Sequence, residues 1–313
     1  MLPLEWFKAA YLGELSVVED HCRDPQLNVN VQEVEKGYTA LYLAAQEGRT
    51  EVVLALLKHP LVDPNLPNNG GVSPFYVACE KGRVGVVEAL LGDPRVDPTR
   101  PKGTGSTPLY VSSQNGLAQI VALLLRDPRV DVNHIAKGDA TPLYIASQYN
   151  QKDVVALLLQ DPRVEVNRPR NNGATPLHIA CQNGHREIMA MLLLHPKTDV
   201  NLLSSNNTSP LWYAAQNGFV DVVQTLLASD RNVNTHLRSA FNDQTAAEQA
   251  RAMAKRCTMT THSTEDYERM KAAGPVIADL IDEYDRDPNA VRTRLRTLPW
   301  IRGASFFFSS SFP

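Results

Sequence analysis

An all-α array of stacked helix–turn–helix units is the fold class that this sequence predicts, and three observations carry it. A 34-residue unit recurs without drift, with copies starting at Gly37, Gly71, Gly105, Asp139, Gly173 and Asn207. In every copy a hydroxyl residue (Thr39, Ser73, Thr107, Thr141, Thr175, Ser209) stands directly before Pro or Ala. In five copies a second, more apolar segment runs up to a proline: Pro60, Pro94, Pro128, Pro162 and Pro196. Self-similarity at a fixed period of this length marks a solenoid, which grows by stacking rather than by thickening one core.

Residues 1–36 form an imperfect first copy, in which Ala9-Ala10 and Val17-Val18 match Ala44-Ala45 and Val52-Val53. Its Glu5, Lys8, Glu14, Glu19 and Asp20 make it polar, as a terminal repeat with one face in water must be. The close copies then occupy 37–70, 71–104, 105–138, 139–172, 173–206 and 207–240, with the clear match ending near residue 236. In each, the hydroxyl at N-cap satisfies an orphan N–H, and in all but the first, where Ala40 stands, Pro at the first helical position presets φ, so a short first helix starts there. It ends near Gly48, Gly82, Gly116, Asn150, Gly184 and Gly218, residues suited to a left-handed turn. Small residues fill one of its columns (Ala44, Ala78, Ser112, Ala146, Ala180, Ala214), which lets neighbouring helices approach closely.

The second helix carries the apolar load, as in Val154, Val155, Leu157, Leu158 and Leu159. It stops before its proline, because the residue preceding Pro is pushed out of the α region. An extended Val-Asp-Val-Asn-like segment and a Gly/Asn/Lys-rich turn lead to the next copy. Residues 240–300 read as a degenerate repeat and a helical C-terminal cap. Thr245-Ala246 opens a helix to Arg256, Ser263 with Asp266 resembles a capping box for a helix to Ala273. Gly274-Pro275 separates that helix from another over residues 275–284, and Asp287-Pro288 starts a last one through Arg296. Residues 301–313 are expected to be a disordered tail, with Phe306-Phe307-Phe308 an aggregation liability.

The run Gly173-Ala174-Thr175-Pro176-Leu177-His178-Ile179-Ala180, then Asn183-Gly184-His185, Leu192-Leu193-Leu194 and Asp199-Val200-Asn201, resembles the ankyrin repeat. The resemblance implies an ankyrin-repeat solenoid with turn or β-hairpin tips, and a protein-interaction role. Two departures stand out. The unit is one residue longer than the usual 33, because Asp-Pro-Arg-Val replaces the family's Gly-Ala. The family's His survives only at His178, and Tyr42, Tyr76, Tyr110, Tyr144 and Trp212 hold the other places, where a stacked aromatic column is expected.

Composition excludes several function classes. A net charge of −3 and a sequence pI near 6.2 create no whole-molecule field for nucleic acid or a membrane. Cys22, Cys79, Cys181 and Cys257 are widely spaced without a Cys-x-x-Cys pair, and Cys79 and Cys181 share a column three units apart, so a reducing compartment is expected. The first residues lack a basic n-region, and no run of about 18 apolar residues exists to cross a bilayer, so the chain reads as a cytosolic or nuclear monomer.

Catalytic patterns fail on inspection. Residues 102–107 are glycine-rich but lack the phosphate-loop order, and Gly105 sits in repeat phase. Asp285, Asp287 and Asn289 copy the start of a calcium loop, yet Ala290 and Arg296 stand where it needs Gly and Glu, so helix capping explains them. The eight histidines are scattered and no nucleophile has a nearby base. No enzyme, metal or cofactor is therefore expected.

A binding surface remains. Where structural columns repeat, the informative positions are those that vary: Glu47, Lys81, Asn115, Tyr149, Asn183 and Asn217. Tyr149 is the outlier in size and reads either as an interface anchor or as cover for its own turn. The tips add Arg100, Lys102, His134, Lys137, Arg168 and Arg170, either solvated loop charges or a site for an acidic peptide. Asp93/Arg95, Asp127/Arg129 and Asp161/Arg163 on the other side read as ladders between neighbouring copies, each worth little if exposed. The expected function is a non-enzymatic scaffold binding a protein or peptide in a groove of the repeats. The alternatives are a targeting module of a longer protein and, disfavoured by the acidic total, a nucleic-acid binder that uses the basic tips.

Overall fold

The computed structural model describes residues 2–136, 138–256 and 263–301, and every regular element among them is a helix. Lys137, Cys257 and residues 302–313 of the proposed tail, including Phe306–Phe308, lie outside the described residues, while Ile301, expected in that tail, is instead helical and buried. The chain divides into two compact units, Met1–Pro142 and Leu143–Pro313.

In the first unit, α1 (Leu2–Leu12) and α2 (Leu15–Cys22) form the polar opening repeat. The repeats α3/α4 (Ala40–Glu47, Thr50–Leu57), α5/α6 (Pro74–Glu80, Val84–Leu91) and α7/α8 (Pro108–Gln114, Ala118–Arg126) follow. First helices stack on first helices, α1 on α3 on α5 on α7, and second helices on second helices, α2 on α4 on α6 on α8. Thr39, Ser73 and Thr107 each accept a hydrogen bond from the backbone N–H three residues on, as their N-cap positions predict. Gly48, Gly82 and Gly116 close the first helices in the left-handed region. The small column is fully buried at Ala44, Ala78 and Ser112, which is why the helices can pack so closely.

The second unit holds α9/α10 (Pro142–Gln148, Lys152–Gln160), α11/α12 (Pro176–Gln182, Arg186–Leu194) and α13/α14 (Pro210–Gln216, Val220–Ala228). Asn150, Asp139 and Asn207 adopt positive φ where other copies use glycine, since Asn and Asp tolerate that region best among side-chain-bearing residues. Gly173 is the stricter case. Its φ is +73°, and a Cβ there would sit 2.6 Å from the Ser205 backbone nitrogen of the next tip. The unit ends in α15 (Ala246–Arg256), α16 (Thr264–Arg286) and α17 (Pro288–Leu295). Thr245 and Glu248 form a reciprocal capping pair, Ser263 caps α16 from its side chain, and Asp287 Oδ1 accepts the Ala290 N–H to cap α17.

Four further expectations need correction, the fourth being the Asp/Arg ladders between copies, whose ion pairs lie within single copies. The break at Gly274-Pro275 does not occur, for α16 runs unbroken through Pro275. Gly274 explains it, because a Cβ there would lie 2.5 Å from the Ala250 carbonyl oxygen, so α16 is clamped against α15 across the weak point. The Val-Asp-Val-Asn segments are turns rather than extended chain. In Asp63–Asn65, Asp97–Thr99, Asp131–Asn133 and Asp199–Asn201, the aspartate side chain accepts the N–H of the residue two positions on. The tips, too, are turns closed by one backbone hydrogen bond, such as Asn68 N–H to Val72 O at 3.0 Å and Arg170 N–H to Ala174 O at 3.0 Å.

The aromatic column is the third. At Tyr42, Tyr76, Tyr144 and Trp212 the ring meets a tip residue. In the first unit Tyr42 stacks on Tyr38 at 4.6 Å and Lys102 lies over Tyr76 at 5.3 Å. In the second, Arg170 lies over Tyr144 at 5.2 Å and Phe241 stacks on Trp212 at 6.3 Å. The repeat period places successive column rings a full helix layer apart, about 8–10 Å, beyond ring contact. His178 instead links its own helix start to the next copy through hydrogen bonds. Its Nδ1 accepts the Thr175 N–H at 3.1 Å, and its Nε2 lies 3.1 Å from the Thr208 carbonyl of the next copy. Burial pushes its pKa down to about 4, so it is neutral and its Nε2–H donates to Thr208.

Side-chain to backbone clasps join the copies. Asn65 Nδ2 donates to the Arg95 carbonyl at 2.7 Å while its Oδ1 accepts the Asp97 N–H at 2.8 Å. Asn30 does the same to Leu61 and Asp63, Asn167 to Lys197 and Asp199, and Asn201 to Asn232 and Asn234. The ion pairs Asp93–Arg95, Asp127–Arg129 and Asp161–Arg163 lie inside single copies, at 2.6–2.7 Å. Hydrogen bonds from each guanidinium hold its carboxyl below the usual range. It is the arginine that crosses between copies. Arg95 Nη2 donates to the Leu57 carbonyl at 2.6 Å, Arg129 Nη1 to Val96 O at 2.9 Å, and Arg231 Nη2 to His195 O at 2.7 Å. A cation there also meets the negative end of the preceding helix.

Candidate partner-binding surface

The variable column follows each first helix, where the chain turns through a left-handed residue. Three of its members serve the stack. Asn115 Nδ2 donates to the Glu80 carbonyl at 3.1 Å, Asn183 to Gln148 O at 3.2 Å, and Asn217 to Gln182 O at 3.0 Å. Each caps the carbonyl end of the preceding first helix, so the residue type is set by the neighbour. Glu47 accepts the side-chain amide of Gln46 at 2.8 Å, and Lys81 is exposed.

Tyr149 breaks the pattern. Its ring is 51% exposed, and a phenol has no amide with which to make the bond its counterparts make. Around it the second unit is polar. Gln148 O takes hydrogen bonds from Asn183 and His185, and Lys152 pairs with Glu187.

The basic tips are engaged with the array itself, Arg100 with the preceding copy and the others within their own. Arg100 donates to the Asn65 carbonyl at 3.2 Å, and His134 Nε2 lies 3.1 Å from Gly105 O. Lys102 reaches Glu80 at 3.5 Å while lying over Tyr76. In the second unit Arg168 pairs with Glu165 at 3.1 Å, and Arg170 lies over Tyr144. The site's charge is therefore cationic at Arg168 and Arg170, with Glu165 beside it. A face of this kind can hold acidic side chains but offers no activated nucleophile. Burial drives the thiols of Cys79 and Cys181 upward, away from reactivity, and no group of three potential metal ligands occurs among the described residues.

Sequence reading missed Phe241. It is 63% exposed, stacked on the buried Trp212, at the tip that follows the last close copy. It lies one residue beyond 207–240, where the register slips, and a lone aromatic in that stretch gave no signal of its partner.

A family profile described as "Ankyrin repeats (3 copies)" matches residues 6–102, 93–170 and 162–236. Among solved structures the chain is similar to "Crystal structure of the ankyrin repeat domain of Bcl-3: a unique member of the IkappaB protein family", at 22% identity and a TM-score of 0.62. That likeness covers 69% of this chain and 95% of the other, and at this identity it shows the fold alone. No curated protein matches the chain. With the profile spanning most of its length and the helices stacking as that profile requires, the chain belongs to the ankyrin-repeat family, whose repeats are generally protein–protein interaction modules.

Proposed function

We propose that this protein is a non-enzymatic scaffold that captures a partner polypeptide on the tip and first-helix face of its repeats. One observation supports this above the rest. In a column where Asn115, Asn183 and Asn217 spend their side chains on the preceding copy, Tyr149 forgoes that bond and exposes half its ring. A position that gives up a structural hydrogen bond for an exposed aromatic ring trades stability for a contact, and such rings dominate interface energies. Arg168 and Arg170 in the same unit favour acidic side chains in that partner, while Arg100, Lys102, His134 and Lys137 would extend the same preference within the first unit. The ankyrin fold is typically a binding module, which agrees with the non-enzymatic reading. Cys22, Cys79 and Cys181 are free thiols, consistent with a reducing compartment such as the cytosol or nucleus.

Affinity purification with the full chain tests this reading. Partners retained by the wild-type protein and lost by Tyr149→Ala or Arg168→Glu would support it. An unchanged set of partners with both variants would refute the proposed face.

A further inference from the structure

The three tips of the second unit are hydrogen-bonded into one continuous edge. Ser205 N–H donates to Asn172 O at 2.8 Å, and Ala240 N–H donates to Asn206 O at 2.8 Å. Along that edge the chemistry changes in one direction. It begins with the guanidinium of Arg170 over Tyr144, with Arg168 beside it. The middle tip is neutral and small: Ser204, Ser205, Asn206 and Asn207, with Ser204 hydroxyl-bonded to Thr208. The far tip presents Phe241, 63% exposed and stacked on Trp212, itself in edge contact with Tyr213 at 5.6 Å, while the charges of that tip are neutralised in the Arg238–Asp243 and Arg238–Glu248 ion pairs.

Phe241 leaves most of its ring in water, where apolar surface is costly. Trp212 stacks on one face of the ring, so its order is prepaid and a second apolar group can cover it cheaply. The cationic end is balanced in part by Glu165, which takes one N–H of Arg168. A carboxylate arriving there meets a fork-shaped donor suited to it.

We infer that this edge reads a partner segment by register: an acidic side chain at Arg168/Arg170 and an apolar side chain on Phe241. The two ends are two repeat intervals apart, about 16–20 Å at a helix spacing of about 8–10 Å. An extended chain covers that in about five or six residues. The segment is an extended polypeptide with its acidic and apolar residues separated by that distance. Backbone and small polar side chains face the Ser/Asn tip between them. The inference rests on the proposed function, in that it assigns the partner's chemistry on the same unit's face. A single-stranded nucleic acid, phosphate on the arginines and a base on Phe241, is the competing occupant. The net charge of −3 and Glu165 at the cationic end disfavour it.

Display selection of random dodecapeptides on the immobilised full chain tests the register. Enriched peptides should carry Asp or Glu five or six positions from Leu, Ile, Phe or Met. Phe241→Ala, at an exposed tip that leaves the helices untouched, should weaken them about tenfold or more and remove selection at the apolar position alone. Arg168→Glu should abolish the acidic preference alone, and unchanged far-ultraviolet circular dichroism would confirm folding of both variants. Binders that lose affinity with Tyr149→Ala yet ignore Phe241→Ala would overturn the register and leave the proposed function standing. Binders indifferent to all three variants, or no enrichment at all, would overturn both. Displacement of the peptides by oligo-dT, with a steep loss of oligo-dT binding in salt, would replace the peptide by a nucleic acid.

Discussion

Thr99 interrupts the clasp that joins the copies, and restoring it is the sharpest test of how this array is held together. Asn30, Asn65, Asn167 and Asn201 each bind a carbonyl and an N–H of the next copy. Thr99 occupies the equivalent place and turns its hydroxyl to Asp97 at 2.6 Å instead, so the Arg129 carbonyl and Asp131 N–H receive no such clasp. Thr99→Asn should supply both bonds. At about 0.5–1.5 kcal/mol each, with one local hydroxyl bond lost and the site open to solvent, the net gain is about 1 kcal/mol. That corresponds to about 1–3 °C in melting temperature for a chain this long. The local readout is amide exchange: protection of Asp131 N–H should rise about fivefold, since 1 kcal/mol is about that factor. Asn65→Ala is the mirror experiment and should expose Asp97 N–H while costing about 1–3 kcal/mol. Equal exchange at Asp131 in wild type and Thr99→Asn, or a loss of stability, would refute the clasp as a source of cohesion.

Other consequences follow from buried polar groups. Ser113, beside the small column, has its hydroxyl buried and unbonded, whereas the neighbouring Ser112 hydroxyl meets the buried Cys79 thiol. Ser113→Ala, the residue that the first and last close copies carry as Ala45 and Ala215, should raise the urea midpoint by an amount equivalent to about 1 kcal/mol, and a fall would show that the hydroxyl has a partner. His178 makes the array acid-sensitive. Its folded pKa near 4 lies below the ordinary 6.5, so between those values the unfolded chain binds more protons and stability falls as pH drops from about 6.5 to about 4. The full effect is about 3 kcal/mol at about 1.4 kcal/mol per unit. His178→Tyr, the column's usual residue, should flatten that part of the urea-midpoint profile, and an unchanged slope between pH 6.5 and 4.5 would contradict it.

What was legible in the residues was local or periodic. Hydroxyl-Pro pairs, left-handed closures and small columns each act within one helix or at one turn, and the 34-residue register multiplies the signal. What was not legible depends on a neighbour. An asparagine in Val-Asp-Val-Asn reads as a turn residue, and its clasp needs a carbonyl and an N–H that lie 30–33 residues away. Asn115, Asn183 and Asn217 read as free surface for the same reason, because the carbonyl they bind belongs to the preceding copy. Gly274-Pro275 is a fair break by local rules, and only the packing of Gly274 on Ala250 carries α16 through it. The aromatic column failed on distance, since identical positions in successive copies are a helix layer apart. Tyr149 was legible because it departs from its column.

Tyr149→Asn bears most directly on the central claim. It installs the residue that serves the stack in three other copies, so a purely structural Tyr149 and a partner-binding one give opposite readings. Titration of a purified partner, recovered with the wild-type chain, into wild-type and Tyr149→Asn protein is the measurement, with urea unfolding of both alongside. The account predicts that stability holds or rises while affinity falls about tenfold or more. Unchanged affinity, or a loss of binding explained by a loss of folding, would contradict it.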